Sequence, residues 1–492
     1  MKALLIVPFS SDLIHAVSVP LGLISIATYL NANGHEAKII DLSVSHAKIY
    51  REINVFQPDI IGVTLGSVKQ LNGAMHITKK IKAKHTIPIV WGGSFCDTAD
   101  SKMLLRDTGA DYISLSEGEA TWLDMMNRLQ AGESFEDCAG IAYIKGENVV
   151  VTENRPFLDL TKLPDLDYSL VDVPRYKQYL YGCKNVIYVY LSKGCPAQCT
   201  FCLNAVSHRC QYRRRSLEQF MRETRVLVEK YDVDGLYFCD ELCFCNKQQL
   251  YEVCDAFDAS GLDFHWGFQT RVGILGEEEF QRAYDSGARW VDFGIESGNK
   301  EQLKKMKKKI PYEMIEPTFE MCERVGLVTM ANFIIGIPGE TEAQVRDTVA
   351  LAKRLHATQC SVFKYCLAPK TEMGQEAVNS EKNKHPFKRI QDYKKVDFYA
   401  NRTDNFSYVP KKELDVIQSY FLWSALFHKE YGEETKPFDL FYKHILTILR
   451  RAQFLNFTSF ISSTAELVFL GFRFFADTHF YPGIIKKYEL KS

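Results

Sequence analysis

One short segment, Ser192–Cys202 (SKGCPAQCTFC), constrains this chain more than any other. It places Cys195, Cys199 and Cys202 in the spacing C-x3-C-x2-C. The apolar run just before it, Val186–Leu191 (VIYVYL), predicts a strand. Three thiolates on one short loop can bind three irons of a 4Fe–4S cluster. A fourth iron is then left without a protein ligand, and an open metal position marks a site that binds and transforms something. A zinc knuckle is the rival reading, with His208 or Cys210 offered as the fourth ligand.

The chain has 14 cysteines in 492 residues, so the compartment matters. The N-terminal run MKALLIVPFSSD reads as a strand, because it lacks the longer apolar region and cleavage site of a signal peptide. No stretch of 18 uncharged apolar residues predicts a membrane-spanning helix. A cytoplasmic location is the default expectation, and disulfides are disfavoured there. Lys+Arg is 60 against Asp+Glu 61, a balance that gives no general reason to expect nucleic acid as a partner. At roughly 150 residues per domain, the length suggests about three domains.

Residues 1–150 alternate strand and helix. Strands are expected at Met1–Pro8, His35–Leu42, Ile60–Leu65, Ile89–Gly93 and Tyr112–Ser116, with helical segments between them. Alternation of this kind predicts an open parallel sheet with helices on both faces. Ligands of such sheets sit beyond the carboxyl ends of the strands. The loops there carry Ser10, Ser11, Thr64, Gly66, Ser67, Gly92, Gly93, Glu117, Gly118 and Glu119, where small residues admit a large flat ligand; plain strand-to-helix turns are the alternative. Residues 151–184, rich in proline, read as a linker.

The cysteine triplet after a strand resembles the radical S-adenosylmethionine (SAM) superfamily. In that family SAM chelates the open iron through its amino and carboxylate groups, and the reduced cluster cleaves it to methionine and a 5′-deoxyadenosyl radical. The resemblance implies a partial (β/α)6 barrel over residues 185–370, with its site at the carboxyl end of the strands. It also implies SAM-contacting residues, and later strand ends match. Phe201 precedes the last cysteine; Asp240 and Glu241 follow a strand at Gly235–Cys239; Arg271 ends QTR; Glu296 and Ser297 end WVDFGIESG; Gly336 and Pro338 lie in FIIGIPGET. Glu241 is the first choice for the SAM amino group, with Asp240 second. Arg271 suits the SAM carboxylate, and Glu296 suits the ribose diol. No residue is assigned a catalytic role beyond these.

The order of sheet then barrel is similar to the cobalamin-binding-domain subclass of that superfamily. The resemblance rests on PLG at Pro20–Gly22, VTLGS at Val63–Ser67, WGG at Trp91–Gly93 and SEGE at Ser116–Glu119. It implies a flavodoxin-type, Rossmann-like domain that holds cobalamin through Ser10, Thr64, Leu65, Gly66, Ser67, Gly92, Gly93, Glu117 and Gly118. One departure stands out. The cobalt-ligating DxHxxG of other cobalamin domains is absent, since Asp12 and His15 occur in SSDLIHAVSVPLG with no glycine at the required place. Cobalamin here would lack a protein His ligand, which suits methyl transfer.

Cys239, Cys243 and Cys245 (CDELCFC) admit a second metal, a cobalt ligand, a radical thiol, or packing. The lysines from Lys304 to Lys309 read as a solvated helix end, and Arg213–Arg215 as a surface face or an anion contact. Residues 371–492 read as a helical C-terminal domain rich in aromatics, among them Tyr420, Phe421, Trp423, Phe427, Phe438, Phe454 and Phe469. They suggest core that closes the barrel, or a greasy wall for a lipid-like substrate or a peripheral membrane contact. The expected activity is a cobalamin-dependent radical SAM C-methyltransferase acting on a small-molecule or lipid-like substrate, with a flavodoxin or ferredoxin as external reductant. The alternatives are a non-methylating radical reaction, such as anaerobic oxidative cyclisation, and a non-catalytic electron-transfer or binding protein.

Overall fold

The computed structural model describes residues 1–9, 18–45, 47–380, 405–426 and 481–490. Ser10, Ser11, Asp12, His15 and most of the aromatic tail from Phe427 onward lie outside the described residues.

The first sheet contains β1 (Lys2–Val7), β2 (Glu36–Asp41), β3 (Ile60–Thr64), β4 (Ile89–Gly92) and β5 (Tyr112–Ser114), all parallel. Their order is β2-β1-β3-β4-β5, the flavodoxin-type arrangement. Alternation along β1 explains the helices on both faces. Ala3 and Leu5 pack toward α1 (Leu21–Ala32) and α6 (Glu119–Ala131), while Leu4 and Ile6 pack toward α2 (Ile49–Phe56), α3 (Leu71–Lys82), the short α4 (Ser94–Thr98) and α5 (Ser101–Thr108). An antiparallel hairpin, β6 (Ile141–Lys145) and β7 (Asn148–Val151), extends the sheet beyond the five expected strands. Its two-residue turn at Gly146–Glu147 was the available signal, since Gly146 has φ 64°.

The proline-rich bridge is a strap rather than a free linker. Short 3-10 turns at Leu160–Lys162, Tyr168–Leu170 and Val173–Tyr176 shape it. Tyr176 donates to Asp41 (2.9 Å) and Asp167 N–H to Thr28 Oγ1 (3.1 Å), tying it to the first domain. Leu166 N–H donates to Glu223 (2.6 Å) on the other side.

The second sheet has β9 (Cys183–Val189), β12 (Gly235–Phe238), β13 (His265–Thr270), β14 (Ala288–Glu296), β15 (Val328–Ile335) and β16 (Gln359–Lys364), with β8 (Gln178–Leu180) antiparallel at the edge. The six parallel strands lie in serial order, as a partial barrel requires. A separate two-strand ribbon, β10 (Ser192–Lys193) with β11 (Arg213–Arg214), follows β9. Leu236, Phe238, Trp266 and Phe293 point outward to the layer that holds α8 (Leu217–Arg225), α9 (Lys247–Ser260), α10 (Glu277–Asp285), α12 (Ile315–Val325) and α13 (Glu342–Arg354). Tyr237 and Trp290 point inward and close the floor with Val186 and Val328. Gly267 leaves the room this needs, because a Cβ there would lie 2.1 Å from the Trp290 ring.

Of the C-terminal region, α15 (Lys411–Leu426) packs on β16, with Leu414, Ile417 and Phe421 buried. The buried pair Lys364–Asp415 (2.5 Å) pins it there. Phe421 of the aromatic tail therefore serves as core against β16. Trp423 lies in the same helix. No helix among the described residues is long and apolar enough to cross a membrane.

Candidate active site and cofactor clefts

The cysteine loop leaves β10 through Gly194, whose φ of 82° and whose position against Gln211 O (2.0 Å from a Cβ) exclude any side chain. The short helix α7 (Asn204–Ser207) then clamps the loop. Cys195 N–H donates to Asn204 Oδ1 (2.8 Å), and Asn204 Nδ2 donates back to Cys195 O (2.7 Å). Farther on, Thr200 N–H reaches Met306 O (3.0 Å), at the end of α11 (Lys300–Lys305), and Met373 N–H, in α14 (Glu372–Val378), reaches Thr200 O (2.9 Å).

Those contacts correct the reading of the lysine run. Lys304, Lys307 and Lys309 are solvated, but Lys305 and Lys308 turn inward. Lys305 donates to Pro338 O (2.5 Å) and Lys308 pairs with Glu296 (2.7 Å), with side chains 9% and 11% exposed in the latter pair. Spacing offered no signal for this, because the inward turn depends on how α11 ends against the cysteine loop.

All three cysteines are free; Cys195 and Cys199 are buried and Cys202 half-buried. Burial pushes the Cys202 thiol up to about 12 and raises that of Cys199. Thiolates in this place therefore call for a compensating cation, which iron in a cluster supplies. The zinc knuckle loses its histidine. His208 Nε2 lies 3.2 Å from Glu241 and its Nδ1 3.3 Å from Glu117, the latter off the hydrogen-bond line. Among the described residues, no three His, Cys, Asp or Glu side chains close on a point that one ion would fill. Thiolates around a four-iron cube sit wider apart than that. Cys239, Cys243 and Cys245 are not brought together on a common ion, and Cys243 is a buried thiol.

The other sequence-selected residues gather round this loop with different tasks. Glu241 accepts from Gly194 N–H (3.0 Å), and its side chain is still 39% exposed, so it faces the cleft. Burial alone would lift its carboxyl, but His208 more than offsets that and holds it below the usual range. Asp240 is buried and engaged by Leu191 N–H (3.1 Å) and by Ser192 N–H and Oγ (both 2.5 Å). Burial pushes it to about 7. It braces β12 against β10 and presents nothing to the cleft. Arg271 donates to Lys309 O (2.9 Å), and its charge acts to lower the Cys199 thiol. Glu296 sits at a register shift in β14 with φ 70° and folds back over Gly294, where a Cβ would meet Glu296 Oε1 at 2.5 Å. Ser297 is buried against Thr348 (3.1 Å) in α13 and faces away. Gly336 N–H donates to buried Glu340 (2.5 Å), and burial pushes that carboxyl to about 8. Phe201 packs on the apolar cluster of Met306, Ile337 and Met373.

A second cleft of about 180 Å³ lies at the carboxyl ends of the first sheet, between it and α1 and α6. Thr64, Gly92, Gly93, Glu117 and Gly118 line it, as selected from sequence. Leu65, Gly66 and Ser67 do not. Leu65 is buried with its carbonyl under Gly93, and Gly66 is held at the rim by Gln70 (2.7 Å). Sequence reading missed Gly62, Trp122 and Lys193 as lining residues. A Cβ on Gly62 would lie 2.7 Å from the Trp122 ring, so the buried glycine in IIGVTL was the legible sign of a close approach. The slot is narrow, with glycines and one indole among its walls.

The two clefts share a wall. Lys193, two residues before Cys195, lines the first-domain cleft and pairs with buried Glu119 (2.8 Å), which also accepts from Ser25 (2.6 Å). Arg213 grips both oxygens of Glu117. Burial would raise the Glu117 carboxyl, but His208 and Arg213 hold it well below the usual range. For His208, the same carboxylates outweigh burial and raise the imidazole to about 9.

This pair of clefts defines a class. Residues 189–352 match the family model described as Radical SAM superfamily, and residues 14–124 match the B12 binding domain. The chain thus carries a radical SAM domain together with a B12 binding domain, and its cofactors are a 4Fe–4S cluster, SAM and cobalamin. Among individual proteins, it is 27% identical to an uncharacterized methyltransferase of Pyrococcus horikoshii, across 72% of this chain and 78% of that one. It is 26% identical to the anaerobic magnesium-protoporphyrin IX monomethyl ester cyclase of Rubrivivax gelatinosus, across 71% of this chain and 65% of the relative. It is 25% identical to the hopanoid C-3 methylase of Methylococcus capsulatus, across 64% of this chain and 60% of the relative. The fold resembles that of the methyltransferase TsrM from Kitasatospora setae, with a TM-score of 0.66 at 20% identity over 77% of this chain and 76% of that one. It also resembles the cobalamin-dependent SAM radical enzyme OxsB, with a TM-score of 0.62 at 17% identity over 76% of this chain and 54% of that one.

Proposed function

We propose that this enzyme transfers a methyl group to an unactivated carbon of its substrate. When bound, the cluster supplies the electron that cleaves SAM, and cobalamin supplies a carrier for the methyl group. The observation that carries the reading is the shared wall, where Lys193 and His208 join the cysteine loop to the cobalamin cleft. In this reading Cys195, Cys199 and Cys202 hold the cluster, Glu241 receives the SAM amino group, Arg271 its carboxylate and Glu296, oriented by Lys308, the ribose. Gly336 and Pro338 border the adenine, and the glycine-lined slot takes the cobalamin tail.

Relatives named methyltransferase and methylase support methyl transfer, and the cyclase relative supports the rival non-methylating reaction. We place the enzyme in the cytoplasm, where a flavodoxin or ferredoxin supplies electrons. Reconstituted protein with SAM and dithionite should form 5′-deoxyadenosine above a Cys199→Ala control. Methyl-labelled SAM should label the product of the true substrate, and unlabelled product would favour the cyclase-like reading.

A further inference from the structure

His208 bridges two carboxylates that belong to different cofactor clefts. Glu117 lines the slot of the first domain; Glu241 stands beside the cysteine loop with its side chain 39% exposed. Each carboxylate has a second anchor on the same stretch of chain. Arg213 grips Glu117, and Gly194 N–H holds Glu241. The imidazole is 17% exposed and packs beside Phe157 of the strap (6.2 Å between centroids). Gln211 N–H donates to His208 O (2.9 Å), and Gln211 O presses on Gly194, so the backbone carrying His208 also shapes the approach to Cys195. One ring thus stands between the two carboxylates, 3.3 Å from Glu117 and 3.2 Å from Glu241.

We propose that His208 is a positioning residue that couples the two cofactor clefts by setting Glu241 according to the state of Glu117. This rests on the reading that Glu241 meets SAM and that the slot takes cobalamin. Coupling of this kind is reciprocal: cobalamin tightens SAM, and SAM tightens cobalamin by the same factor.

The test uses the full chain with its cluster reconstituted anaerobically. SAM affinity is read from the change it causes in the electron paramagnetic resonance of the reduced cluster, with and without hydroxocobalamin. In the native protein hydroxocobalamin should tighten SAM about 5-fold, within the usual span of allosteric coupling. His208→Leu should retain its iron, bind SAM about 10-fold more weakly and lose the response to hydroxocobalamin, as expected when a supporting partner of a ligand-binding group is removed. His208→Gln should recover part of the affinity by reaching Glu241. Glu117→Gln, in the other domain, should also abolish the response. If His208→Leu loses iron, the glutamine variants at 208 and 117 decide the matter. Unchanged SAM affinity in the His208 variants, with Glu241→Gln weakened, overturns the coupling alone. No effect of Glu241→Gln on SAM overturns the underlying reading of Glu241. A native protein whose SAM affinity ignores hydroxocobalamin also overturns the coupling.

Discussion

Both sheets present loops at the carboxyl ends of parallel strands, yet those loops are built from different material. The barrel's loops carry thiols and carboxylates on braced chain: Asn204 fixes the backbone of Cys195, and Lys308 fixes the carboxylate of Glu296. The first domain's loops carry glycines, and its cleft is a shape bounded by Trp122 and a row of backbone. One site offers reactive groups, the other mainly the room it leaves. Side chains of the first kind have few substitutes; shape can be changed one methyl group at a time.

The largest effect expected from breaking this contrast is on the cluster. Cys199→Ala should cut both retained iron and 5′-deoxyadenosine formation by roughly 100-fold, while the corrin spectrum after desalting stays near native. Loss of corrin along with iron would show that the sites cannot be separated so cleanly. Next comes Lys308→Met, which strands the carboxylate of Glu296 in a nearly buried place. Breaking such a pair from one side costs about 3–5 kcal/mol, visible as a lower melting temperature and weaker SAM binding.

In the first domain the equivalent change is steric. A Cβ at Gly22 meets nothing within 4 Å, and Gly22 lines the slot. Gly22→Leu should fold, keep its iron and bind hydroxocobalamin about 10-fold more weakly, since filling a pocket removes the shape on which binding rests. Unimpaired corrin binding would move the cobalamin site elsewhere.

The smallest effect concerns Glu340, under the barrel rim. Burial raises its carboxyl from 4.5 to about 8. A carboxyl raised on folding contributes stability that is complete below its unfolded value and is lost as pH climbs through the folded one. Melting temperature should therefore fall between about pH 4.5 and pH 8 by a component that Glu340→Gln removes, a difference of about 3 °C. Parallel profiles for the two proteins would remove Glu340 from the account.

How much of each region was legible in the sequence follows from the same contrast. Cysteines at C-x3-C-x2-C and acidic residues at strand ends stand out in one dimension, and the strands that carry them were readable as apolar runs. The carboxylates still divided in ways that no spacing foretold. Glu241 faces the cleft, but neighbouring Asp240 braces β10, because successive side chains at a strand end point to opposite sides. Ser297 fell to α13 for the same reason. In the slot, Gly92 and Gly93 were selected and the buried Gly62 carried a sign that went unused, but Trp122 and Lys193 carried none. They meet only when β3, α6 and the segment after β9 are brought together.

The sequence by itself determined the two-sheet architecture, the three-cysteine loop and the pairing of a radical SAM domain with a B12 binding domain. Apolar periodicity and ligand spacing are local properties, written within a few residues. Only the tertiary structure decided that the two clefts have a common wall. That wall joins Glu117, Glu119, Lys193 and His208, and Glu117 and Glu241 lie more than a hundred residues apart in the chain. Buried charges at such separations are drawn together because each needs a partner once water is excluded, and only the folded chain brings that partner within reach.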